Sequence, residues 1–172
     1  MKKIGIGIFL IIGLVMGVLS QISTPILITA VLDGGSRPVK AASFFYLRHV
    51  RKLSGYYSAI SPPLQFVVGG CNHRIDKEPY CDALLDWLLE SGQDVNELDH
   101  SSKLGLSSLH LSVLSCDPKL VRYFLSHNCE VNIQATGEKF RGQTPLALLA
   151  KLKNCAESPE IKAELIKNGG HL

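Results

Sequence analysis

The side chains best suited to redox or metal chemistry in this sequence are its five cysteines. Cys71 and Cys81 lie near His73, and thiolate and imidazole groups are the ligands that zinc prefers. The group lacks a paired C-x-x-C and a fourth ligand at a usual spacing, so it indicates a metal only weakly. A disulfide between Cys71 and Cys81 is the stronger prediction if the domain faces an oxidising compartment. We therefore predict no metal ligands, and keep a redox or metal-binding protein built on these three residues as the alternative function.

Catalytic motifs are missing from the sequence. It contains no G-x-S-x-G, no P-loop, no H-E-x-x-H and no G-x-G-x-x-G. The histidines are scattered, and no pair of carboxylates is spaced for acid–base work. The sequence therefore predicts a protein that is not an enzyme and that needs no cofactor and no small-molecule substrate.

The amino-terminal segment has the composition of a membrane anchor. Residues 4–32 contain no ionisable side chain and follow Lys2 and Lys3. A helix needs roughly 20 apolar residues to cross the hydrocarbon core, and this segment is longer. We predict a transmembrane or signal-anchor helix over residues 1–32. The alternative is a signal peptide cleaved after Ser20, which would leave a soluble periplasmic or secreted protein.

Charge divides the chain into two parts. Residues 1–75 hold eight Lys or Arg and one acid, a net charge of +7, whereas residues 76–172 hold ten Lys or Arg and fourteen acids, a net charge of −4. A basic stretch beside an apolar segment favours an anionic membrane surface over nucleic acid. The Lys-Lys start favours a non-cytoplasmic, periplasmic location for the rest of the chain. Five cations after the span favour a cytoplasm-facing domain, which stays open as the alternative.

Internal repeats occupy the second half of the sequence. The segment GLSSLHLS at 105–112 aligns with GQTPLALL at 142–149, at an offset of 37 residues. SGQDVN at 91–96 aligns with HNCEVN at 127–132, at an offset of 36. A fainter copy, SPPLQ, begins at Ser61. Two markers with nearly one spacing indicate repeats at about 61–96, 105–132 and 142–170.

These markers resemble the ankyrin repeat, whose period is about 33 residues and whose signature contains T-P-L-H-x-A. The resemblance implies an all-α fold, an ankyrin-type solenoid of helix pairs over residues 61–172. It also implies that His110, in the signature histidine position, ties down its turn by hydrogen bonding. Gln65 and Ala147 occupy that position in the other copies.

Local signals mark where the helices of each repeat begin and end. A capping residue precedes proline at three places: Thr144-Pro145, Asp117-Pro118 and Ser158-Pro159. Gly92 and Asn128 follow helical patterns, where a left-handed residue is expected.

The remaining cysteines are assigned from the same register. Cys71, Cys116 and Cys155 fall near the end of the first helix of successive repeats. Stacked helices lie about 10 Å apart, so these equivalent positions are too distant for a disulfide. Cys129 is predicted to be a buried thiol.

Residues 33–60 are predicted to be a basic linker with one amphipathic helix, at 43–53. It either caps the first repeat or lies along lipid headgroups.

The resemblance places the binding surface on the finger loops between repeats and on the concave face. The fingers would be residues 97–104 and 133–141. The predicted partner-binding residues are Asp99, His100, Lys103, Lys139, Phe140 and Arg141. Phe140 is the favoured anchor, because aromatic side chains and Arg dominate binding hot spots. We expect a membrane-tethered protein–protein interaction module, and the fourteen acids beyond residue 75 favour a partner with a basic patch.

Overall fold

The structure is a computed structural model that describes residues 13–15, 17–18, 21, 24–33, 36–49, 63–73 and 80–172. Every regular secondary-structure element in these ranges is helical, which confirms the all-α prediction. No helix among the described residues is long and apolar enough to cross a membrane. The predicted anchor at 4–32 and the linker at 33–60 lie partly outside these ranges. The chain separates into two compact units, Met1–Lys52 and Leu53–Leu172.

In the first unit, the helices α1 (Thr24–Leu32) and α2 (Arg37–His49) pack against each other. The Lys40 ammonium donates to the Leu32 carbonyl oxygen at 3.1 Å, which satisfies an acceptor left free at the end of α1. The helix predicted at 43–53 begins earlier, at Arg37, and its predicted end lies outside the described residues. The buried residues of this unit are Leu27, Ile28, Val31, Leu32, Ser43, Tyr46 and Leu47.

The described residues of the second unit, 63–73 and 80–172, form six helices in three consecutive pairs. The helices are α3 (Pro63–Cys71), α4 (Cys81–Glu90), α5 (Ser108–Leu114), α6 (Pro118–Ser126), α7 (Pro145–Leu149) and α8 (Ser158–Lys167). Within each pair the two helices contact each other. Between pairs, α5 contacts both α3 and α7, and α6 contacts α8. First helices therefore pack on first helices, and their apolar faces form one buried core.

Two of the three predicted helix caps are confirmed. The Thr144 hydroxyl accepts from the Ala147 backbone N–H at 3.2 Å, with Pro145 as the first helical residue. Asp117 Oδ1 accepts from the N–H groups of Lys119 and Leu120 at 3.0 and 3.3 Å. The third prediction is wrong, because α8 already includes Ser158, and its side chain does not cap the helix.

The second helix of each pair ends in the same turn. Gly92, Asn128 and Gly169 have φ values of 88°, 56° and 90°, which confirms the left-handed conformation predicted for the first two. The residue after each donates its N–H to a carbonyl oxygen five residues earlier: Gln93 to Leu88, Cys129 to Phe124, and Gly170 to Leu165. This is the Schellman arrangement, and it gives α4, α6 and α8 a common register.

Candidate functional site

Two loops connect the three helix pairs, and each closes through the same backbone hydrogen bond. The Asp99 N–H donates to the Leu106 carbonyl oxygen at 2.9 Å, and the Ala135 N–H donates to the Gln143 carbonyl oxygen at 3.0 Å. Gly105 and Gly142, one residue before each accepting carbonyl, are both left-handed, with φ values of 56° and 73°. These contacts recur at the spacing of the sequence markers, so the two loops share one backbone conformation at their closure. We call them loop A (residues 97–107) and loop B (residues 133–143).

Loops A and B pack directly on each other through glycine. The Thr136 N–H donates to the Gly105 carbonyl oxygen at 3.0 Å. A Cβ added at Gly137 would overlap the Leu104 carbonyl group and the Lys103 carbonyl oxygen, and one added at Gly105 would overlap Gly137. The two backbones therefore touch where neither residue has a side chain, which holds the loops as one surface.

Most of the predicted partner-binding residues lie on this joined surface. His100, Lys103, Lys139 and Arg141 are exposed, and Phe140 is half-buried. The Lys139 ammonium lies 5.1 Å from the centre of the Phe140 ring, a cation–π contact that positions both side chains. Because Gly137 touches the backbone of Leu104 and Lys103, the two loops that carry these cations are held together.

Asp99 has a different role from the predicted one. Its side chain is buried, and Oδ1 accepts from the Ser101 N–H at 3.0 Å, the Ser101 hydroxyl at 2.5 Å and the Ser102 N–H at 3.2 Å. A carboxylate satisfied in this way folds its own loop and does not face a partner. We therefore leave Asp99 out of the contact surface proposed below.

His110 joins the second helix pair to loop B. Its Nε2 lies 2.9 Å from the Gln143 carbonyl oxygen, and its Nδ1 lies 3.3 Å from the Ser107 backbone nitrogen. A carbonyl only accepts and an N–H only donates, so Nε2 carries the hydrogen and the ring is neutral. In the first pair, Gln65 Nε2 donates to the Glu97 carbonyl oxygen at 2.6 Å. Two different side chains thus make the same kind of bond from helix to loop.

We expect stability to fall on acidification through His110. Burial lowers the pKa of this histidine, and the bond to the Gln143 carbonyl oxygen opposes that shift only in part. The unfolded chain, with a histidine pKa of about 6.5, then binds more protons than the folded chain below that pH. The contribution of neutral His110 to the free energy of unfolding is therefore complete above about pH 6.5. It is lost as the pH falls toward the lowered folded-state pKa.

The measurement is urea unfolding at pH 7.5 and at pH 5.5. His110→Gln is the matched variant, because the chain itself uses glutamine at the equivalent Gln65. The variant should lose less stability between the two pH values than the wild type does. An equal loss in both proteins would contradict the assignment.

Asparagine side chains link the ends of successive pairs. Asn96 Oδ1 accepts from the Glu130 N–H at 2.7 Å, and Asn132 Oδ1 accepts from the His171 N–H at 3.0 Å. These are the last residues of the two V-N markers, one repeat apart. The sequence marker therefore corresponds to a repeated contact between turns.

Four of the five cysteines are joined in two disulfides. Cys71 is bonded to Cys81 with a Cα–Cα distance of 5.6 Å, which closes the insertion between α3 and α4. In this form neither sulfur is a free thiolate ligand, and His73 contributes its backbone N–H to Asp117 Oδ2 at 2.7 Å. The described contacts of these three residues are therefore structural.

The second disulfide, between Cys116 and Cys155, corrects the prediction that these residues are too far apart. Their Cα atoms are 5.6 Å apart. The assumed equivalence of Cys116 and Cys155 fails, because Cys116 lies two residues after the end of α5, in a left-handed conformation with a φ of 54°. Cys155 lies instead in the loop between α7 and α8, which is long enough to bring it back to the second pair. His73, with a φ of 55°, is the true counterpart of Cys116.

One carboxylate accompanies this second disulfide. Glu157 Oε2 lies 3.2 Å from Cys116 Sγ, and the potential ligand atoms of Cys116, Cys155 and Glu157 lie within 4.8 Å of one another. The two sulfurs are bonded to each other, so these residues form a covalent link between the second and third helix pairs. The fifth cysteine, Cys129, is a free thiol whose pKa is raised by burial to about 12, which keeps it protonated at neutral pH.

Three structural features of this unit had little or no signal in the sequence. The contact between Gly105 and Gly137 had only a weak signal, two loop glycines roughly one period apart. The Cys116–Cys155 bond had the same kind of signal, at a sequence separation of 39. The hydrogen bond from the His73 backbone N–H to the Asp117 carboxylate had no sequence signal, because any residue type other than proline at position 73 could donate it.

No protein-family model matches this chain, and no curated protein matches it.

Proposed function

We propose that this chain is a membrane-tethered protein–protein interaction module, built as an ankyrin-type solenoid of three helix pairs, which binds a partner protein through loops A and B. The observation that carries the proposal is the recurrence of one set of backbone bonds. The turns at Gly92 and Asn128, and the closures of loops A and B, repeat after 36 or 37 residues, the offsets of the sequence markers, and the same turn recurs 41 residues later at Gly169. A solenoid of helix pairs has this property, since each unit contacts its neighbours through equivalent atoms.

The joined surface of loops A and B supports binding at this place. It carries the exposed cations Lys103, Lys139 and Arg141, of which Lys139 contacts the half-buried Phe140, and the glycine contact fixes its backbone before a partner arrives. A surface that is ordered in advance loses less conformational entropy on binding. Aromatic and arginine side chains at such a place are typical of hot spots.

The position of charge changes the expected partner chemistry. The excess of acids lies partly on the second helices, where Asp86 accepts from the Tyr123 hydroxyl at 2.7 Å and Arg122 pairs with Glu160. At loops A and B, cations outnumber the exposed acids. We therefore propose an acidic patch on the partner in place of the basic patch that composition suggested.

The two disulfides favour the non-cytoplasmic location in this proposal. Disulfides persist in the periplasm and outside cells and are rare where glutathione and thioredoxin keep thiols reduced. With residues 4–32 as the anchor, the second unit would stand on the outer side of the membrane. The cytoplasm-facing alternative requires both disulfides to be reduced.

Charge reversal at loop B tests the proposal. The tagged full chain in detergent is used to capture proteins from solubilised membranes, and a captured protein is identified by mass spectrometry. Lys139→Glu with Arg141→Glu should lower its affinity at least about tenfold, since charge complementarity and hot-spot contacts are both lost. The affinity is measured by surface plasmon resonance.

The matched control reverses two exposed cations outside the loops, Lys153 and Lys167. Both double variants should keep the helical circular-dichroism signal of the wild type. A partner that binds all three proteins equally would show that loop B is not the binding surface.

A further inference from the structure

An apolar cavity of about 450 Å³ lies beside the third helix pair. Its lining comes from α7, from the start of the following loop, from α8 and from the final residues of the chain. Its apolar lining includes Leu146, Leu149, Leu152 and Ile166. Ligand pockets in proteins commonly measure roughly 300–1,000 Å³ and are mainly apolar with a few polar groups. This cavity has the size and the composition of such a pocket.

The polar side chains of the cavity lie on one face of α8. Ser158, Lys162 and Ile166 are spaced by four residues, which places them in a row along the helix. All three line the cavity, and none of the lining residues is acidic. An ammonium and a hydroxyl therefore stand at the edge of an otherwise apolar space.

The register of the helix pairs shows that Lys162 is exceptional. Counted back from the left-handed residues Gly92, Asn128 and Gly169, the position of Lys162 in α8 corresponds to Leu85 in α4 and to Val121 in α6. Leu85 and Val121 are 0% exposed, whereas Lys162 is exposed. A position that elsewhere belongs to the apolar interior thus carries a cation here.

The charge of Lys162 is not used within the protein. It forms no ion pair with any residue in the part of the chain that the structure describes. Its methylene groups can cover apolar surface while the ammonium stays at the rim, as lysine side chains commonly do. An anionic group placed at the rim would meet the ammonium, and an apolar chain attached to it would enter the cavity.

We propose that this cavity binds a free fatty acid, with its single acyl chain among the leucines and its carboxylate on Lys162. A second copy of this chain fits less well, because symmetric pairing through this face would desolvate two ammonium groups and bring no acidic side chain from the lining. A phospholipid, with two chains, exceeds one cavity of this size. The site is independent of loops A and B and of any protein that they bind.

Photo-labelling with decanoate tests the proposal. The full chain is held in nanodiscs of phosphatidylcholine and labelled with a decanoate that carries a diazirine at its terminal carbon. Peptides from residues 145–172 should carry most of the label. Lys162→Glu should lower the labelling of these peptides about fivefold, the effect of one exposed ion pair worth up to about 1 kcal/mol. Lys167→Glu, on the same helix outside the cavity, should leave it unchanged.

Competition separates the apolar and charged parts of the site. Unlabelled decanoate should displace the label, whereas butanoate, which has the same carboxylate without the long chain, should not. Equal labelling of Lys162→Glu and wild type, label spread evenly along the chain, or displacement by butanoate at the same concentration would each overturn the proposal. So would sedimentation of a dimer whose formation blocks the labelling.

Discussion

Replacing Gly137 with alanine should destabilise the second unit by about 3 kcal/mol or more, a large effect for one methyl group. The added Cβ would overlap the carbonyl group of Leu104 and the carbonyl oxygen of Lys103. Both are backbone atoms, so no side chain can rotate away, and loops A and B must separate. The separation would also strain the hydrogen bond from Thr136 to Gly105. Urea unfolding followed by circular dichroism measures the loss.

Gly69 is the control for the intrinsic effect of the substitution. It lies in α3, is exposed, and has no atom within 4 Å of an added Cβ. Gly69→Ala should stabilise the protein by up to about 1 kcal/mol, because alanine favours a helix more than glycine does. If Gly137→Ala and Gly69→Ala changed the stability alike, loops A and B would not be in contact in solution.

The second consequence of Gly137→Ala concerns binding. In the proposed function the two loops act as one preformed surface, so their separation should weaken partner binding at a temperature where the helices are still folded. If Gly137→Ala stayed folded and bound the partner with wild-type affinity, loop B would bind the partner without help from loop A. The stability and the binding results therefore test the loop contact and the proposed function separately.

The features that could be predicted from the sequence are those made by residues close together in the chain. The caps at Asp117 and Thr144 need only a side chain and an N–H group two or three residues later. The left-handed turns at Gly92 and Asn128 need only the end of one helix. Such contacts depend on local conformation, and residue type and order determine them.

The features that could not be predicted depend on the path of a loop. The length of the loop between α7 and α8 decides whether Cys155 reaches Cys116 or lies about 10 Å away, the distance between packed helices. The cap predicted at Ser158 failed for a related reason, because this same loop leads into α8 one residue earlier. The burial of Asp99 followed from a turn in which the carboxylate bonds to Ser101 and Ser102. Asp99 is a common residue type in turns and on surfaces alike, so its type alone does not separate the two roles.

Reducing the Cys116–Cys155 disulfide should lower the free energy of unfolding of the second unit more than reducing Cys71–Cys81. A disulfide restricts the unfolded chain, and the restriction grows with the length of the loop that it closes. The sequence separations are 39 and 10 residues. The chain-entropy relation then gives about 4 kcal/mol for the first bond and about 3 kcal/mol for the second. The bond between helix pairs should therefore be the larger single covalent contribution to stability.

Two variants isolate the bonds. One carries Cys71→Ser and Cys81→Ser and keeps only the bond between pairs, and the other carries Cys116→Ser and Cys155→Ser. Urea unfolding of each with and without reductant gives the contribution of the remaining bond, free of the packing changes caused by the substitutions. Because Cys129 is the single free thiol among the described residues, unfolded protein isolated without reductant should react with one equivalent of alkylating agent and reduced protein with five. Five reactive thiols before reduction would show that neither disulfide forms, and the argument for a domain outside the cytoplasm would then be lost. One thiol with equal reductive losses in the two variants would instead keep that location and contradict the prediction that the longer loop makes Cys116–Cys155 the larger contribution.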